Sequence, residues 1–168
     1  MRALTSADLA QIQHFKTAFR HHPAGVAIVA GDAPDGRAGL TVSSLASVGV
    51  DPAAVSFSVS SDRGSAGAVL ASRTVGISLL DARHVDVARA FALPGAPRFT
   101  AEQRWTAFDD ETPYLADAPA ALRCRIVGVT PIGASSLVLA EVFEIRAGDR
   151  SVPMVYVDRM FHGVTGRI

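Results

Sequence analysis

The chain is short of the features that mark several common classes. It has one cysteine, Cys124. No internal disulfide can form, and no Cys/His cluster has zinc-type spacing. Cys124 reads as a small core residue rather than a reactive thiol. Net charge is zero, from 16 basic and 16 acidic residues, and no run of five or more Lys and Arg occurs. Electrostatic attraction to nucleic acid or to an anionic membrane is therefore not expected. The apolar stretch Gly25 to Gly31 is stopped by Asp32 and is too short to span a bilayer. The N-terminus has no signal-type apolar core. A soluble, cytoplasmic protein is the expectation.

The familiar site signatures are missing too. There is no G-x-x-x-x-G-K-[ST] loop, no G-x-G-x-x-G between strand and helix, and no G-x-S-x-G elbow. The histidines are His14, His21, His22, His84 and His162. Adjacent His21 and His22 do not converge on one metal, and they read as a polar helix end that offsets the helix dipole. No metal site is expected.

What is present points to one β-rich domain over residues 1–168. Apolar residues make up 49% and charged residues 19%, enough to bury a core and too apolar for disorder. Thr5 or Ser6 can cap a first helix, with Leu9, Ile12, Phe15 and Phe19 near helical spacing, ending at His21-His22-Pro23. Gly25 to Ala30 reads as a buried strand, Gly31 to Gly36 as turn, and Ala38 to Leu45 as a second strand. Asp51-Pro52 starts another turn. Val55, Phe57 and Val59 then alternate with Ser56, Ser58 and Ser60. A short helix near Ser65 to Ser72, a strand Thr74 to Leu80 and a helix near His84 to Phe91 follow. Leu93 to Ala118 looks like a long functional or interface loop. Strands are expected at Ala121 to Pro131, Leu137 to Ile145, Val152 to Tyr156 and Phe161 to Val164. That makes six or seven strands in hairpin order with two or three helices. Without a βαβ repeat, an antiparallel barrel with peripheral helices fits best.

Hydroxyl density is the informative chemical feature. Thr41, Ser43, Ser44, Ser47, Ser56, Ser58, Ser60, Ser61 and Ser65 crowd one stretch. Hydroxyls donate and accept, so such a cluster suits a ribityl chain, a pyrimidine edge or a phosphate. Ser61 to Ser65, with Arg63, lies between a strand and a helix, where free N–H groups and an arginine favour an anion. Exposed strand faces and helix caps are the ordinary explanation of the same residues, and on spacing alone that reading wins.

The ordered segments resemble the flavin reductase-like, FMN-binding split-barrel family. His22-Pro23-Ala24-Gly25-Val26 resembles its "P-x-G-V" strand. Gly39 to Val48 is similar to "G-x-T-x-S-S-x-x-S-V". Asp51-Pro52 with Val55-Ser56-Phe57 resembles "D-P-P-x-V-S". Phe91-Ala92, Arg98-Phe99 and Trp105 match its "F-A … R-F … W" loop. Leu122-Arg123-Cys124 and Leu139 to Val142 resemble its late strands, and Pro153 to Tyr156 with Arg159 its closing "P-L-x-Y … R-x-Y". The resemblance implies a mainly β, Greek-key-like split barrel, homodimeric, holding FMN or FAD. It implies hydride transfer from NADH or NADPH to the flavin and delivery of reduced flavin to a monooxygenase component. It places Thr41, Val42, Ser43 and Ser44 against the flavin ring and ribityl chain, with Ala46 and Ser47 close by. Phosphate contacts fall on Ser58, Ser60, Ser61 and Ser65, with Arg63.

Two departures stand out. The family commonly carries "G-D-H" in the turn between its late strands, and here the turn is Gly133-Ala134-Ser135-Ser136. The late "R-x-Y" is Arg159-Met160-Phe161. Ser135, Phe161 and His162 are thus the nicotinamide-side candidates. The missing histidine keeps open a flavin-binding or carrier protein, or a split-barrel flavoenzyme with another electron donor.

Overall fold

In the computed structural model, residues 5–149 and 151–166 are described. They begin with α1 (Ser6–Arg20), β1 (Ala24–Gly25), β2 (Ala27–Ala33), β3 (Gly36–Val42), β4 (Ala46–Val50) and β5 (Ala53–Val59). Then come α2 (Gly64–Ala71), β6 (Val75–Leu79), α3 (Val85–Ala92), β7 (Trp105–Ala107) and β8 (Pro113–Leu115). The last are β9 (Ala120–Ile132), β10 (Ser135–Ala147), β11 (Met154–Val157) and β12 (Met160–Gly163). Seven strands form one antiparallel sheet in the order β3-β2-β6-β9-β10-β5-β4. β1, β11 and β12 form a small second sheet. The large sheet curls without closing, which is the split barrel, with helices at its periphery.

Two apolar clusters hold it. Val29, Phe57, Ile77 and Val138 fill the barrel beneath Val69 of α2. Ile28, Leu80, Phe91, Leu115 and Met154 pack outside it, under α3. β2 feeds both clusters and is buried on both faces, so it reads as a continuous apolar run rather than an alternation. Val55, Phe57 and Val59 of β5 all point into the barrel, as their alternation requires.

Several boundaries differ from expectation. The second strand stops at Val42, and Ala46–Val50 is a separate strand at the opposite edge of the sheet. Apolar periodicity runs through both and hides the break. The expected loop Leu93 to Ala118 holds a 3-10 turn at Ala101–Gln103 and the β7–β8 hairpin. It is a packed wall. Arg98 donates to the carbonyls of Gly39 (3.0 Å), Ala90 (3.3 Å) and Leu93 (3.0 Å), beside the Phe91, Phe99 and Trp105 rings. A Cβ at Gly39 would lie 2.8 Å from the Phe91 ring, so α3 approaches β3 only because that position is bare.

Helix α1 forms as its residues predict. Thr5 caps it and exchanges hydrogen bonds with Asp8. Yet none of its residues is buried. It is tied at its C-terminal end, where the Asp158 N–H donates to the Arg20 carbonyl at 2.8 Å. The Arg20 and His21 side chains lie 3.2 and 3.3 Å from the Asp158 carboxylate. No helix among the described residues is long and apolar enough to cross a membrane.

The junction of β6 and α3 rests on a buried carboxylate. Asp81 is 1% exposed. Arg83 donates to it from Nη2 (2.7 Å), Nε (3.0 Å) and its backbone N–H (3.0 Å). The His84 ring lies 2.9 Å from Asp81 on one side and 3.3 Å from Asp117 on the other. Burial pushes the Asp81 carboxyl up, but hydrogen bonds from the Arg83 side chain and backbone, with the charges of His84 and Arg83, outweigh burial and hold it below its ordinary value. A lowered folded-state value means stabilisation that is complete above the unfolded carboxylate value of about 4 and is lost as pH falls through the folded one. Asp81→Asn is expected to cost about 1–3 kcal/mol at pH 7, because the buried position loses its charge-assisted hydrogen bonds from Arg83. Its urea midpoint should also fall less between pH 5 and pH 3 than that of the parent.

Candidate functional site

β3 and β4 follow one another in the chain but lie at opposite edges of the sheet. Ser43, Ser44 and Leu45 carry the chain across. Ser44 fixes that crossing: its hydroxyl accepts from the Ser58 N–H at 2.8 Å and donates to the Ser58 carbonyl at 3.3 Å. The β4–β5 ladder pairs Ala46 with Ser56, so the Ser44 side chain takes the place of the next ladder residue.

Three cavities meet at this crossing, and Ser43 lines all of them. A cleft of about 900 Å³ lies between α1 and the barrel, with Phe15, Lys16 and Phe19 on one wall and Ser43, Ala46 and Ser58 on the other. A second cavity, of about 590 Å³, is lined by Thr41, Arg89, Tyr156, Arg159 and Phe161. A third, of about 220 Å³, is lined by Ser58, Ser60 and Ser135 together with Thr41 to Ser44.

Hydroxyls expected to act alike divide into two groups. Thr41 donates to the Ala88 carbonyl at 2.7 Å, and Ser44 is engaged with Ser58. Ser65 accepts from Arg98, and Ser61 accepts from the Arg63 N–H at 3.0 Å. Ser43, Ser58, Ser60 and Ser135 have side-chain hydroxyls with no hydrogen-bond partner among the described residues, and all four line the 220 Å³ cavity. The Val42 side chain is in the core. Ser61, Arg63 and Ser65 lie outside the three cavities, with the Arg63 side chain 93% exposed. Ser47 faces a separate apolar groove with Val50 and Met154. Ser135 therefore sits with the serines of β5, whereas Phe161 stacks on Tyr156 at 5.1 Å in the 590 Å³ cavity. His162 lies outside all three and pairs with Val155 on β11.

The walls carry positive charge. Arg20 is engaged by Asp158, and Arg89 lies 3.4 Å from Asp86. Lys16 and Arg159 have no ion-pair partner among the described residues and line the same cleft. The sequence reading missed Phe15, Lys16, Phe19 and Tyr156 as lining residues. Helical spacing of apolar residues looks the same whether the stripe meets a core or a cleft. Cys124 is fully buried, and burial pushes its thiol up to about 12, so it takes no part. No metal-binding cluster occurs among the described residues.

A site of unpartnered hydroxyls beside aromatic walls and cations without an ion-pair partner among the described residues suits a ligand that is both polar along its length and anionic. Comparison with known proteins agrees. The family model described as "Flavin reductase like domain" matches residues 19–165. The NADH:FMN oxidoreductase of Rhodococcus qingshengii is 30% identical over 155 residues, covering 90% of this chain and 81% of that one. The NADH:riboflavin 5'-phosphate oxidoreductase of Streptomyces pristinaespiralis is 35% identical over 136 residues, covering 80% and 77%. A solved flavin reductase domain protein from Arthrobacter sp. FB24 superimposes with a TM-score of 0.87 at 25% identity, covering 94% of this chain and 98% of that one.

The Ser44 bridge has a measurable consequence. Ser44→Ala leaves the Ser58 N–H without its acceptor and is expected to lower stability by about 1 kcal/mol, read as a shift in urea midpoint. Ser43→Ala, which breaks no such bond, should leave the midpoint within error.

Proposed function

The chain belongs to the flavin reductase-like family, and on that premise we propose that it is an NAD(P)H-dependent flavin reductase acting on FMN or FAD. The observation that carries the proposal is the convergence of three cavities on Ser43, with unpartnered hydroxyls on one side and unpaired cations on the other. Bound flavin supplies an electron sink that amino-acid side chains lack, taking the two electrons of the reduced nicotinamide. The work left to this chain is positioning. In our reading, the Thr41–Ala46 backbone lies along the flavin ring, and Ser43, Ser58 and Ser60 hydrogen-bond its polar edge and side chain. Thr41 and Ser44 act through the wall they hold, because their hydroxyls are already engaged. The transfer needs no protein acid or base, so the missing turn histidine does not remove the chemistry.

Residues 1–168 are proposed as a single domain, and the protein as a homodimer. Leu137 and Leu139 of β10 lie on the exposed barrel face, directly across from Ser58 and Ser56 of β5. Val50 is 91% exposed and Ile145 61%. Apolar surface on this scale is covered in most soluble proteins, and a second copy would cover it beside the flavin site. The reduced flavin would serve an oxygenase component, as the family resemblance implies.

Anaerobic mixing with FMN and NADH, then NADPH, tests the activity. Loss of the oxidised-flavin absorbance well above a protein-free control is the expected result. Bound FMN that is not bleached by either donor would replace the proposal with the carrier reading. Ser43→Phe should raise the FMN dissociation constant at least tenfold with unchanged circular dichroism, because its ring fills the meeting point of the cavities. Leu139→Arg should shift the sedimenting species from dimer to monomer. A monomeric parent would remove the dimer from the proposal.

A further inference from the structure

The β11–β12 hairpin closes through two residues, Asp158 and Arg159, between the paired Val157 and Met160. Both have positive φ, 51° and 63°. Two-residue hairpin loops of this kind favour Asn-Gly or Asp-Gly, since a left-handed backbone suits glycine and is tolerated by Asp or Asn. Asp158 fits that pattern, and it holds the end of α1 through the Arg20 carbonyl, the Arg20 guanidinium and the His21 ring. Arg159 does not fit. It occupies the position where glycine is favoured, under backbone strain, and its side chain makes no hydrogen bond or ion pair with any described residue. It is exposed on the rim shared by the 900 Å³ and 590 Å³ cavities. Lys16, the chain's only lysine, lines the same cleft and is equally unpaired. Strain of this sort persists where the side chain is needed.

We propose that Arg159, with Lys16, binds the pyrophosphate of a dinucleotide in the cleft between α1 and the barrel. This rests on the reductase reading and deepens it. A guanidinium meets two phosphate oxygens at once, and an ammonium adds a second point of charge. The Phe15 and Phe19 rings, 4.6 Å apart on the same wall, offer an aromatic surface to the adenine beyond the pyrophosphate. The ligand chemistry is a pyrophosphate joining two nucleosides, present in NAD(P)H and FAD and absent from FMN.

Arg159→Gly separates this role from a structural one. It relieves the strained position, so the variant should unfold at the same or a higher temperature than the parent, while losing the contact. With FMN as acceptor, KM for NADH should rise at least tenfold, with kcat and the FMN dissociation constant little changed. Lys16→Met should raise it in the same direction by less. If KM for NADH holds but the FAD dissociation constant rises tenfold while that for FMN does not, the pyrophosphate site stands and its ligand is FAD. Equal weakening of FMN and FAD would overturn the proposal, because the arginine would then serve a terminal phosphate. No change in any of the three constants would also overturn it. Should the parent fail to bleach flavin with either donor, the reductase reading falls, and equilibrium dialysis of NAD+ and FAD against parent and Arg159→Gly still decides: equal binding overturns the arginine's role.

Discussion

Two chain-consecutive strands, β3 and β4, occupy opposite edges of one seven-stranded sheet, and the three residues between them must bridge that gap. The sheet can satisfy this only by curling until its edges nearly meet. Ser44 sets how nearly. Its hydroxyl makes with Ser58 the pair of hydrogen bonds that a backbone residue would make, so β3 is held at the margin of β5 without joining its ladder. The barrel stays split, and the proposed site lies in the split. Ser43, one residue earlier, stands in the opening with its hydroxyl free and lines the cavities on every side of it.

Much of this was readable from residue order. The β5 alternation of Val55, Phe57 and Val59 with serines fixed one face in the core and the other toward the opening. The capping candidates Thr5 and Ser6 marked the start of α1, and the helix expected near His84 to Phe91 lies close to the observed α3. What escaped was decided by contacts distant in sequence. Ala38 to Leu45 looked like one strand because apolar residues continue across Val42, and only pairing partners at opposite sheet edges reveal the break. The stretch after Leu93 looked like loop because its order comes from Arg98 reaching carbonyls of β3 and α3, which no local pattern encodes.

The hydroxyl cluster shows the same limit at the level of chemistry. Nothing in the sequence distinguishes Thr41 from Ser43 or Ser61 from Ser60. Position in the fold does. Thr41 faces the last turns of α3 and finds the Ala88 carbonyl, while Ser43 has passed the end of the strand and finds none. Ser61 turns back on its own chain at Arg63, while Ser60, exposed just past the end of β5, does not. Half of a hydroxyl-rich segment therefore builds the wall and the other half remains available, and the structural and functional explanations of such clusters hold for different members of one cluster.

Charge is distributed by the same logic. A net charge of zero gives no electrostatic case for nucleic acid or an anionic membrane, yet neutrality of the whole says little about where opposite charges meet. Asp158 engages Arg20 and His21, Asp86 engages Arg89, and Asp81 engages Arg83, so most cations near the opening are matched. Lys16 and Arg159, which have no ion-pair partner among the described residues, face the cleft. The turn between β9 and β10, Gly133-Ala134, is uncharged, and Ser135 beside it lines the serine-rich cavity with Ser58 and Ser60. Positive charge available to an anionic ligand thus lies on the α1 and β11–β12 side of Ser43, opposite the late turn. An anionic ligand entering the opening therefore meets hydroxyls on one side of Ser43 and positive charge on the other.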